Sequence, residues 1–174
     1  MNATDILKAA GLLLLAGLLQ VSVAWTIEVS NGHPDLLLVF VVVLALVRGP
    51  LVGAVAGFWA GLFVDVATFS PTLGISSLLL KLAGYWSGRL GTIMSKSSPH
   101  PPLIAVGMAT VGVILGGAFL HFVLGSTVGA AELLGRVLLP TLALNLLLAY
   151  PVYRVVCRLF PRTTRPAWEV IVPG

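Results

Sequence analysis

Charge is what this chain has least of. Ten basic and six acidic side chains supply only 9% of its 174 residues, where a soluble domain usually carries about a quarter. That scarcity, with a mean hydropathy of +1.06, excludes a soluble domain beside the apolar one and points to an integral membrane protein. Cysteine is nearly missing too. Cys157 alone excludes an internal disulfide and a thiolate metal cluster, and reads as filler at the inner end of the last helix. Three histidines, at positions 33, 100 and 121, are too scattered to suggest a metal site. The phosphate-binding Gly-Lys-Ser loop, the Gly-x-Ser-x-Gly elbow and the His-Glu-x-x-His pair do not occur. No nucleophile and base are offered for facing helices. The expectation is a protein without catalytic residues, metal or cofactor. Its formal net charge of +4 sits at helix ends and is no signal for nucleic acid.

Long apolar runs fill the chain instead. We read six transmembrane helices: Ile6–Ala24, Asp35–Val47, Pro50–Thr68, Leu73–Leu90, Leu103–Leu124 and Leu134–Arg158. Crossing a bilayer takes about 20 apolar residues, so the second is short. It either starts earlier, near Ile27, or sits in thinned lipid. Lys8, the apolar run from Ala9 to Leu19 and Ser22-Val23-Ala24 imitate a secretory signal. Asp5 offsets the positive start, and the segment is expected to be retained as the first span. Arg48-Gly49-Pro50 suits a tight turn, with Arg48 closing one helix and Pro50 opening the next. The fold class is thus all-α: a single six-helix membrane domain over 1–174, with a short basic tail from about 159.

Charge then orients the helices. Lys8, Arg48, Arg89, Lys96, Arg154, Arg158, Arg162 and Arg165 fall on one side, eight of the ten basic residues. The other side holds Glu28, Asp35, Glu132 and only Arg136. The positive-inside rule makes the basic side cytoplasmic, with both termini inside. Trp25 and Trp168 fall near the interfaces, where amphipathic rings prefer to sit. The 91–102 loop is polar and cytoplasmic, and the Pro-broken tail is expected to lie on anionic lipid.

One pattern stands out. Gly49, Gly53, Gly57 and Gly61 recur every fourth residue and end at Asp65. That spacing keeps them on one helical face, where glycines let a second helix approach closely. The fourth helix carries Lys81 with Gly84, Tyr85 and Gly88 on a shared face, and only Phe69–Thr72 separates the two helices. The two glycine faces are expected to meet, each available for helix packing or for a partner. A carboxylate in the bilayer costs about 2.5–3.5 kcal/mol unless partnered. An Asp65–Lys81 pair that snorkels toward the interface is therefore expected. A structural clamp accounts for such a pair better than a proton relay, since no polar file continues across the bilayer. His121, Arg136 and Asn145, with Glu132, invite an outward-facing polar pocket. The plainer account places His121 and Arg136 at headgroup level, with Asn145 bonding across helices. Gly112, Gly116 and Gly117 form a second small-residue stripe, read as packing.

The stretch from Pro34 to Gly91 carries a resemblance. It opens with Pro34-Asp35-Leu36-Leu37-Leu38, continues through Arg48-Gly49-Pro50-Leu51-Val52-Gly53 and Gly57-Phe58-Trp59-Ala60-Gly61-Leu62-Phe63-Val64-Asp65, and closes with Leu73-Gly74 and Gly84-Tyr85. This resembles the bacterial rod shape-determining protein MreD family. The resemblance implies a fold similar to the substrate-binding subunits of energy-coupling-factor transporters. It also implies a non-enzymatic place in the elongation machinery of the inner membrane. The partners it implies are MreC and, through MreC, the glycosyltransferase RodA, an elongation penicillin-binding protein and MreB, besides membrane lipids. The alternative is a vitamin-binding subunit of such a transporter. Against it, the first helix lacks a stripe of small residues spaced by four, and the outer connections lack the groups of a vitamin pocket.

Overall fold

The computed structural model describes residues 3–22, 33–69, 73–93, 101–125 and 137–160. Within them the chain forms six helices: α1 (Ala3–Ser22), α2 (Leu36–Arg48), α3 (Pro50–Ala67), α4 (Ile75–Ile93), α5 (Pro101–Val123) and α6 (Leu139–Leu159). No strand occurs among the described residues. Each helix falls where the apolar runs place one, with ends moved by a few residues. Trp25, Glu28, Glu132, Arg136, Trp168 and most of the polar loop and basic tail lie outside the described residues.

The shortest helix is the centre of the bundle. α2 contacts all five others, and every residue from Leu37 to Leu46 is buried. A helix apolar on every side belongs inside other helices, and Leu-Leu-Leu-Val-Phe-Val-Val-Val-Leu-Ala-Leu-Val is such a sequence. Its 13 residues span only about 20 Å, short of a hydrocarbon core of about 30 Å. Its shortness thus needs neither an earlier start nor thinned lipid, because protein rather than lipid surrounds it. α1, α3, α5 and α6 are each long and apolar enough to cross a membrane. α4 is more polar, with Ser76, Ser77, Lys81, Ser87 and Arg89 along it.

The outer faces are apolar. Leu7, Leu18, Leu51, Trp59, Trp86, Phe119 and Leu147 are all exposed. Water would penalise such a surface at about 25 cal/mol per Å², whereas hydrocarbon is a matched solvent for it.

Two glycines shape the corners. Gly49 takes φ +98° between α2 and α3, a region open to glycine and strained for other residues. Its N–H caps α2 by donating to the Ala45 carbonyl at 2.7 Å, and Pro50 starts α3 with a φ suited to a first turn. Gly74 takes φ +101° just before α4.

Candidate functional site

The glycine row on α3 is spent inside the molecule. α3 and α4 share the most extensive helix contact among the described residues, and their antiparallel register matches the sequence stripe step by step. A Cβ added at Gly61 would overlap the Ser76–Ser77 backbone, and one at Gly57 the Leu80 carbonyl. At Gly53 it would strike Gly84, and at Gly88 it would strike Gly49 and Pro50. Gly91 continues the ladder against Leu46 of α2. With the backbones this close, Ser77 on α4 donates its hydroxyl to the Phe58 carbonyl of α3 at 2.7 Å. Gly53, Gly57, Gly61, Gly84 and Gly88 all lie buried along this seam, so they offer no open face to a further helix.

Asp65 extends the same ladder by one turn. It is 1% exposed and accepts the Gly74 N–H at 2.7 Å. That places a carboxylate at the positive end of the α4 dipole, on a donor the helix cannot satisfy itself. The expected pair with Lys81 does not form. Lys81 sits exposed at the level of Gly57, two turns or about 12 Å along the axis from Asp65. Snorkelling does not close that gap, and the α4 N-terminus supplies the partner instead.

A second polar cluster closes the buried N-terminus of α2. Asp35 accepts the Leu38 N–H at 2.9 Å. The Asp35 N–H donates to Asn145 Oδ1 of α6 at 2.8 Å, and the Leu36 N–H donates to Gln20 Oε1 of α1 at 2.7 Å. Asn145 Nδ2 in turn donates to the Thr110 hydroxyl of α5 at 3.1 Å. Asn145 and Thr110 are almost fully buried. Four helices thus converge on backbone donors that would otherwise be unpaired in an apolar interior.

This arrangement replaces the imagined pocket of His121, Arg136 and Asn145. Asn145 faces the bundle centre. His121 lies eleven residues beyond Thr110 on α5, about 16 Å along that helix. Arg136 lies outside the described residues.

At the far end of α2, Arg48 donates to Asp5 Oδ2 of α1 at 3.0 Å. Its guanidinium lies 5.2 Å from the centre of the Phe160 ring. The last residue of α2 therefore holds both the start of α1 and the end of α6.

The described helices also form a concave surface. Between α1 and α3 runs a groove of about 730 Å³ with Leu44 of α2 in its floor. Its walls are apolar, with Ala9, Ala10 and Leu13 from α1 and Ala56, Trp59 and Phe63 from α3 among the lining residues. Among the described residues no His, Cys, Asp or Glu cluster could hold a metal ion.

The family model for the rod shape-determining protein MreD matches residues 6–163. The chain belongs to the MreD family. The match runs from α1 to just past the end of α6, so the whole described bundle is the MreD unit. Membership assigns the chain to rod-shape determination as a membrane protein of a family not known for enzymatic activity. No curated protein and no solved structure matches the chain significantly.

Proposed function

We propose that this MreD-family protein is a non-enzymatic scaffold of the peptidoglycan elongation complex. It works in the bacterial cytoplasmic membrane, with both termini in the cytoplasm, and it binds the transmembrane helix of MreC. RodA, an elongation penicillin-binding protein and MreB are reached through that partner. The family match over residues 6–163 carries this reading. The charge bias supports the orientation, because Arg48, Arg89, Arg154 and Arg158 lie at the same helix ends the sequence assigns inward.

The seat for that helix is the α1–α3 groove. The glycine seam is already filled by α4, whereas the α1–α3 groove is apolar and open. Helix association in lipid depends on close packing over small residues, and Ala9, Ala10 and Ala56 provide them. A groove walled by apolar side chains is a poor fit for a polar vitamin.

Disulfide cross-linking tests the seat. In a Cys157→Ala background, single cysteines at Ala10 or Val55 should cross-link to cysteines along the MreC helix with a helical period. A cysteine at Leu147, on the outer face of α6, should not. Cross-links from Leu147 alone would move the seat to α6, and none from any position would count against helix binding.

A further inference from the structure

The lipid-facing side of α6 carries an arginine that is held the wrong way for a side chain seeking water. Arg154 lies five residues before the end of α6 at Leu159, about 8 Å along the axis. An exposed arginine there would be expected to reach outward to the interface. Its guanidinium instead lies 4.7 Å from the centre of the Tyr150 ring, one turn closer to the middle of the helix. Arg158 follows on the same face one turn later, and both arginines are exposed. The buried face of α6 is the Thr141, Asn145, Ala149 and Val156 side, so Tyr150, Arg154 and Arg158 point away from the bundle.

Neither arginine has a carboxylate partner among the described residues. Asp5 is taken by Arg48, while Asp35 and Asp65 cap helices on their own backbone donors. A cation kept at this depth on a lipid-facing surface is costly unless an anion meets it. Guanidinium groups recognise phosphate through paired N–H donors. The neighbouring row of the helix, Leu147 with Pro151 and Val155, runs alongside Arg154, is apolar and exposed, and suits an acyl chain.

We propose that Tyr150, Arg154 and Arg158 form a site for an anionic phospholipid, the phosphate on the two arginines and a chain along Leu147 and Val155. The occupant is a bilayer lipid rather than free phosphate, because the guanidinium is held over the Tyr150 ring and the exposed apolar row of Leu147, Pro151 and Val155 runs beside it. The ring presents Arg154 to the phosphate by holding it off the aqueous interface.

The test is native mass spectrometry of the full-length protein released from nanodiscs of equal phosphatidylglycerol and phosphatidylcholine. The wild type should retain phosphatidylglycerol preferentially. Arg154→Gln and Arg158→Gln should each reduce the preference about fivefold. Tyr150→Leu removes no charge and should still reduce it. Arg89→Gln, on α4, should leave it unchanged. Equal retention of both lipids, an unaltered preference in Arg154→Gln/Arg158→Gln, or an equal loss in Arg89→Gln would overturn the site. Competition by inorganic phosphate at millimolar concentration would overturn the lipid assignment. Tyr150→Leu, which leaves every charge in place, decides the matter should the double variant fail to fold.

Discussion

Asp65 on α3 caps α4 by accepting the Gly74 N–H at 2.7 Å. The intramembrane acid that ends the glycine row is thus a fastener for the next helix. Asp65→Ala should destabilise the protein by about 1–2 kcal/mol, the cost of losing a cap. Asp65→Asn keeps an acceptor and should cost less. Because Lys81 lies two turns away, the loss in Asp65→Ala should be the same with Lys81 or with Lys81→Met. Thermal unfolding in detergent across this double-mutant cycle checks it, and a coupling above about 0.5 kcal/mol would show that the two residues interact after all.

The glycines of the α3–α4 seam should not tolerate even one methyl. A Cβ at Gly57 meets the Leu80 carbonyl, which is backbone and cannot rotate away. Gly57→Ala should cost about 1–3 kcal/mol by overpacking. Gly112→Ala is the matched control, because nothing lies within 4 Å of a Cβ there, and it should change stability by less than about 0.5 kcal/mol. Comparison of the two midpoints separates close packing from a general effect of glycine.

Asn145 joins the α2 N-terminus to α5 and α6. Asn145→Leu leaves the Asp35 N–H without an acceptor in an apolar interior and should cost about 1–3 kcal/mol. That exceeds the average of about 0.6 kcal/mol for a side-chain hydrogen bond between membrane helices, because a backbone donor rather than a second side chain is stranded. Hydrogen exchange at the start of α2 should accelerate in this variant and stay slow near Ala45.

Arg48 and Asp5 form an ion pair with side chains only 11% and 23% exposed. Asp5→Asn strands the guanidinium and should destabilise by about 3 kcal/mol. Arg48→Lys keeps the charge, loses the guanidinium contact over the Phe160 ring, and should also destabilise. Shielding by the bundle makes the pair weakly sensitive to salt, so the Asp5→Asn loss should persist at high ionic strength. Unfolding midpoints at low and high salt check this.

Much of the bundle was legible because its signals are local. Apolar runs placed all six helices, Arg48-Gly49-Pro50 placed the first corner, and the four-residue glycine spacing placed the α3–α4 contact. The register of that contact was not legible. Proximity in sequence made Lys81 look like the partner of Asp65, but pairing Gly53 with Gly84 sets Lys81 opposite Gly57. Asp35 enters the sequence reading as the acid that opens the second span, and its role as a cap emerges from the Leu38 N–H bond. Of its partners only Asn145 enters the sequence reading, as a residue bonding across helices; Gln20 and Thr110 do not, since contacts across 16 to 110 positions leave no periodic trace. The groove had no sequence signal, because it arises from how α1 leans on α2 and α3.

The central claim is that this MreD-family bundle holds MreC through an apolar groove between α1 and α3. Co-purification in detergent with MreC from the same organism tests it most directly, with wild type, Ala56→Trp to fill the groove, and MreC lacking its transmembrane helix. The account predicts stoichiometric recovery for wild type and loss in both other arms, with Ala56→Trp still folded and monodisperse. Full recovery of MreC by a folded Ala56→Trp protein, or of MreC without its helix, would contradict it.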